Sequence, residues 1–169
     1  MKTKQNILEI YHSEINFLKD GIKNSKNPYH TFTLSTLEKE FPKARTVVLR
    51  NVETDPLKIF FNADYRSPKI KQLIDKQECS SLFYDINRRV QIRMNCISTI
   101  NYKNHISVNI WEKTALQSRK CYMGPYTPSS TLDTYHPNIP LEYAKKDPDK
   151  ANSEEGYANF VHVELSIID

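Results

Sequence analysis

The run from Arg88 to Asn101 constrains this chain most. Val90, Ile92, Met94 and Cys96 alternate there with Gln91, Arg93 and Asn95. A period of two marks a β-strand, because successive side chains point to opposite faces. One face of such a strand enters a core, and the other meets solvent, a second subunit or a ligand. Other runs supply a sheet for it to join. In Thr31–Leu37, Phe32 and Leu34 alternate with threonines. Ala44–Val52 sets Val47 and Leu49 on one side and Thr46 and Val48 on the other, which predicts a central strand covered on both faces. Leu57–Ala63, Ser80–Tyr84 and Asn159–Ile168 complete the set. The expected class is mainly β with flanking helices.

Three stretches break the alternation. Residues 2–23 place Ile7, Leu8, Tyr11, Ile15, Leu18 and Ile22 at helical spacing, and the segment 1–27 is read as an N-terminal helix and its stop. Ser67-Pro68 reads as a helix start, with Ile70, Leu73 and Ile74 on the inner face to about Lys76. His105–Tyr122 is predicted as one helix with an apolar patch at Ile110, Trp111, Ala115 and Leu116, and with Arg119 and Lys120 near its C-terminal end. Residues 124–157 are rich in Pro, Ser, Thr, Asn and Asp and read as a long loop. Only three glycines are present, so turns fall to Asn, Asp and Pro.

At 169 residues the chain is expected to form a single domain, 1–169. Its net charge of +4 suits a phosphorylated ligand, although a solvated Lys-rich surface also accounts for it. No long basic run concentrates that charge, which disfavours nucleic acid. Cys79, Cys96 and Cys121 lie far apart in no CxxC pattern, and His30, His105, His136 and His162 have no ligand spacing. Neither a disulfide framework nor a metal site is expected. With no signal core and no apolar span, a cytoplasmic protein off the membrane is expected.

The chemistry centres on Arg66, Ser67 and Lys69 at the predicted helix start. Free N–H groups, a hydroxyl and an ammonium there fit a phosphate dianion. The plain alternative is a Ser-Pro helix start with surface cations. Arg45 and Arg50 lie on a strand that otherwise reads as buried, and guanidinium forks suit phosphate. Their alternative is an ion pair with Asp64 or Asp85. Gln91 adds an amide, or is an outward strand residue.

Taken in order, RTVVLR (45–50), FNADYRSPK (61–69) and RRVQIR (88–93), then Trp111 with Ser118-Arg119, resemble the pyridoxamine 5′-phosphate oxidase-like FMN-binding split barrels, in the branch with a YRSPK motif. The resemblance covers roughly residues 30–122, and Asn159-Phe160 with the strand after it more weakly. It implies a six-stranded antiparallel Greek-key barrel in a homodimer, with FMN between subunits. By motif, Arg45, Thr46, Val47, Val48, Leu49 and Arg50 would line the flavin. Arg45 and Lys69 would hold its phosphate beside Arg66 and Ser67. Asn62 and Ala63 would touch it by backbone, and Gln91 would reach the ring. Arg50 and Ser118 are the substrate-side candidates.

The family's substrate-gripping Tyr and Arg have Ile110 and Thr114 at the nearest positions, so pyridoxamine phosphate itself is not the expected substrate. The family's further strand, with a Trp and an Arg near the flavin, lies past Asp169. The resemblance implies an FMN-dependent oxidoreductase acting on a small molecule. A non-catalytic flavin binder shares every cofactor residue, and a small basic β-barrel binding nucleic acid is the remaining alternative.

Overall fold

The computed structural model describes residues 6–169. Among the described residues seven strands are present: β1 (Thr31–Glu38), β2 (Phe41–Val48), β3 (Asn51–Thr54), β4 (Leu57–Asp64), β5 (Glu78–Asp85), β6 (Val90–Asn101) and β7 (Phe160–Ile167). They form a mainly antiparallel sheet in the order β2-β1-β5-β6-β7-β4-β3. The helices are α1 (Ile7–Gly21), α2 (Pro68–Asp75), α3 (His105–Lys113), α4 (Leu116–Arg119) and α5 (Lys150–Ser153). The class is the expected one, but the sheet has seven strands rather than six and is open rather than closed. Among the described residues no helix is long and apolar enough to cross a membrane.

The extra strand arises at Leu49–Arg50, where the expected strand Ala44–Val52 divides. Leu49 donates its N–H to the carbonyl of His30 at 2.9 Å, just ahead of β1. Arg50 donates to the carbonyl of Phe60 in β4 at 2.8 Å. Two residues thus carry the chain from one edge of the sheet to the other. β2 is an edge strand, not a central one, and its residues Phe41–Ala44 and Thr46 are exposed. Pro42 sits opposite Leu37 there, where its missing N–H costs no ladder bond in a central strand.

The chain forms two compact units. The first comprises the chain up to Phe61, Glu78–Ser98 and Leu165–Asp169. Its core packs Phe32 against Phe83 and Phe61, with Leu34, Leu49 and Ile59 fully buried. Asn6 and Glu9 form a capping box at the start of α1, so a portion of the expected helix, residues 2–5, lies outside the described residues. Of its expected apolar face only Ile15 and Leu18 are buried, whereas Ile7 is 81% exposed and Leu8 and Tyr11 are also exposed. Arg88 ties α1 to the β5–β6 turn. It bonds Glu14 through both terminal nitrogens at 2.7 and 3.0 Å, pairs with Asp85, and lies 3.7 Å over the ring of Phe17.

The second unit comprises Asn62–Gln77 and Thr99–Glu164. Trp111, Tyr122 and Phe160 form its aromatic core, with Ile110 and Tyr157 against them. The predicted single helix over 105–122 is instead broken at Thr114–Ala115. Arg119 explains the break. Rather than lying on the surface it is 1% exposed. Its guanidinium donates to the carbonyls of Trp111 (2.8 Å) and Thr114 (3.1 Å), to Ser153 Oγ (3.0 Å) and to Glu154 Oε1 (2.6 Å), and stacks 4.5 Å over Trp111. Trp111 Nε1 donates to the other Glu154 oxygen at 3.0 Å. The 124–157 segment is largely irregular and ends in α5 and a 3-10 turn over Glu154–Asn159 that Arg119 holds. In α2, Ile70 and Leu73 are buried as expected, but Ile74 is exposed and Gln72 takes the inner position.

Candidate functional site

In the second unit, β4 runs through Asn62 and Ala63 into the Asp64–Ser67 turn and α2. Ser67 is the N-cap of α2 but makes no side-chain capping bond. Its buried hydroxyl instead accepts from Lys69 Nζ at 3.1 Å. Helix end, hydroxyl and ammonium therefore converge on one spot, the arrangement that stabilises an anion. Arg66 is committed otherwise. It forks onto both oxygens of Asp64, with contacts of 2.7 to 3.2 Å, and reaches the Gly124 carbonyl at 2.9 Å. The carboxylate bonds raise the Arg66 pKa further. Asp64 also takes the Arg66 N–H at 2.8 Å, so this pair sets the turn that aims Ser67 and Lys69.

Asn62 is half-buried, and its side-chain oxygen accepts from His162 Nδ1 at 2.7 Å. The amide NH2 of Asn62 is left as the donor. His162, on the side of β7 that alternates with Val161 and Val163, is buried. Desolvation lowers its pKa to about 4, so it stays neutral with the proton on Nδ1. A histidine among Phe160, Val161 and Val163 was the available signal for this pair, and only the fold shows its partner. Ala63 is buried, and Ser118 in α4 is half-buried. Tyr65 stacks on Tyr102 with centroids 3.6 Å apart.

In the first unit, Arg45 lies against β1. It donates to Thr36 Oγ1 at 2.6 Å and to the Leu34 carbonyl at 3.3 Å, and burial lowers its pKa. Asp64 and Asp85 are paired with Arg66 and Arg88. Thr46 and Arg50 are exposed, Val48 is half-buried, and Val47 and Leu49 are buried. Gln91 is exposed on β6, opposite Tyr84 of β5. β1 and β5 lie between β2 and β6, the strand that carries Gln91. Among the described residues there is no cluster of His, Cys, Asp and Glu that would hold a metal ion.

Solved structures of other proteins resemble this fold. A pyridoxamine 5′-phosphate oxidase-related, FMN binding protein from Nostoc punctiforme has a similar structure. Its TM-score is 0.66 at 18% identity, over 98% of this chain and 82% of the other. PhzG from Burkholderia lata, solved with tetrahydrophenazine-1-carboxylic acid, gives 0.60 at 12% identity, over 98% and 78%. A Listeria innocua protein described as a pyridoxamine 5′-phosphate oxidase gives 0.56 at 14%, over 95% of each chain. At such identities these structures speak for the fold alone. No curated protein matches the chain. The family described as pyridoxamine 5′-phosphate oxidase, FMN-binding domain, matches residues 13–101, more than half of the sequence. The chain belongs to that family, whose cofactor is FMN.

Proposed function

We propose that the chain is an FMN-dependent oxidoreductase acting on a small molecule, working as a cytoplasmic homodimer. The observation that carries this reading is Lys69 Nζ beside Ser67 Oγ at the start of α2, in a chain of an FMN-binding family. A phosphate dianion there meets an ammonium, a hydroxyl and the positive end of a helix. Arg45 is a second phosphate ligand by its motif, and Arg66, braced by Asp64, holds the turn in shape. Thr46, Val47, Val48, Leu49 and Arg50 line the flavin, and Asn62 and Ala63 meet it along their backbone. His162 holds the Asn62 amide in one orientation. Bound FMN supplies the two-electron chemistry, and the protein supplies grip, orientation and exclusion of water. Arg50 and Ser118 face the substrate.

Gln91, on the exposed side of β6 and separated from β2 by β1 and β5, reaches the ring of FMN held by the second copy. The outward face of β1, β5 and β6 suits such a partner. It is built from small polar residues such as Thr33, Ser35, Ser80 and Asn95 around a hollow of about 610 Å³ that Arg93 also lines.

The test begins with the visible spectrum of the purified protein, before and after incubation with FMN and desalting. A protein that stays colourless overturns the reading. Reduction of the bound flavin by NADH or NADPH and reoxidation by oxygen separate an enzyme from a passive binder. Lys69→Ala and Arg45→Ala should each weaken FMN at least about tenfold, the loss of a charge-assisted hydrogen bond, and leave riboflavin almost unchanged. Equal losses for both ligands would remove these residues from the phosphate.

A further inference from the structure

Cys79 on β5 and Cys96 on β6 face each other in register across the antiparallel ladder. Both are free thiols, 8% and 1% exposed. The backbone sets their spacing. Asn95 donates its N–H to the Asp169 carbonyl at 2.7 Å and accepts from the Ile168 N–H at 2.9 Å, so its peptide groups point away from β5. Its neighbour Cys96 turns its own peptide groups the other way, toward β5. Cys79 and Cys96 are therefore a hydrogen-bonded pair, with Cα atoms about 5.5 Å apart. Disulfides accept Cα separations of about 4.4–6.8 Å.

The neighbouring Cys79 thiol, and then Ser81, draw Cys96 below the ordinary thiol range; Ser81 Oγ lies 3.8 Å from Cys96 Sγ, whose S–H donates to the Met94 carbonyl at 3.5 Å. The Cys96 thiol opposite, and then burial, push Cys79 up. Of the two, Cys96 gives up its proton more readily and is the one that attacks first. A cavity of about 370 Å³, lined by both cysteines with Leu37, Glu78, Asn95 and Ile168, gives a small oxidant access.

We propose that Cys79 and Cys96 are a peroxide-sensitive dithiol that closes reversibly into an interstrand disulfide. Cys96 attacks one oxygen of hydrogen peroxide, the O–O bond breaks, and the departing hydroxide takes a proton to become water. Cys96 is then a sulfenic acid. Cys79 displaces its hydroxyl, which leaves as a second water with the Cys79 proton, and the S–S bond forms. Two thiols lose two electrons and two protons, and one peroxide becomes two waters. A bridge between residues directly opposed in a ladder is strained, which favours its reduction by small thiols. Closure links the strands that carry Ser80 and Asn95 on their outer face, where Ser80 Oγ bonds Asn95 Oδ1 at 3.2 Å. The proposal stands without the flavin reading, since it draws only on β5 and β6.

The experiment uses the full chain carrying Cys121→Ser, because Cys121 is exposed and would couple between molecules. Folded protein is treated with hydrogen peroxide, alkylated, and mapped by mass spectrometry without reduction. The expected result is loss of both remaining thiols, a mass lower by two hydrogen atoms and a peptide joining Cys79 to Cys96, all reversed by dithiothreitol. Adding Cys79→Ser should leave a sulfenic acid on Cys96 that dimedone traps. Two thiols that stay reduced while free cysteine in the same tube is oxidised would overturn the proposal. So would sulfinic acids without the linked peptide. If Cys79→Ser does not fold, the linked-peptide result decides alone.

Discussion

Arg88 and Arg119 solve different problems. Arg88, in the first unit, joins Glu14 and Asp85 and stacks on Phe17, with its side chain 27% exposed. The elements it clamps, α1 and the β5–β6 turn, are already satisfied by helix and ladder bonds. Arg119, in the second unit, is sealed from solvent and feeds the carbonyls of Trp111 and Thr114 directly. Around it the backbone is irregular, so a side chain does what a ladder does elsewhere. Where backbone pairing is complete a buried cation is accessory. Where it is incomplete the cation becomes the organiser.

The strongest attack on that contrast is Arg119→Leu. It removes the donor that serves the Trp111, Glu112 and Thr114 carbonyls, Ser153 and Glu154, and should cost about 3–5 kcal/mol in urea unfolding. Arg88→Leu should cost less, about 1–3 kcal/mol, since Arg88 itself is partly solvated although Asp85 is buried. Equal losses would dissolve the distinction.

The next effect is a pH dependence. Unfolded His162 takes a proton below about 6.5, whereas the folded residue resists until about 4. Across that window the unfolded state binds more protons, so stability falls as pH drops, by a total on the order of 3 kcal/mol, and levels off below it. His162→Gln keeps a partner for Asn62 but does not titrate, so its stability curve should be flatter there. Parallel curves for the two proteins would show that His162 is not buried neutral.

Smaller still is Gly156→Ala. Its Cβ would come within 3.0 Å of Met123 Cγ and 3.1 Å of the Trp111 ring, against the wall of the Arg119 pocket. A loss of about 1–2 kcal/mol is expected. No loss would mean that the turn over Glu154–Asn159 is packed more loosely than Arg119 requires.

Legibility follows the same line. β6, β1 and α2 were readable because their periods of 2 and 3.6 are local properties of the chain. Ser67 and Lys69 were readable together because two residues at a helix start meet whatever the rest does. The edge position of β2 was half-legible. Pro42 marks an edge, but the apolar pairs after it, Val47-Val48 and Leu49, read as a central strand. Arg119 was not legible at all. A cation near a helix end and a cation in a core have the same one-dimensional signature, and the difference is a glutamate 35 positions further on.

By itself, then, the order of residues determined the β-rich class, the faces of its clearest strands and a helix start suited to phosphate. These depend on neighbours within a few positions. Tertiary structure alone decided that Leu49 and Arg50 divide one expected strand into a pair of edge strands, that Arg119 is interior, that His162 is held by Asn62, and that Cys79 meets Cys96. Each of those is a contact between distant segments, and its energy exists only once the intervening chain has closed.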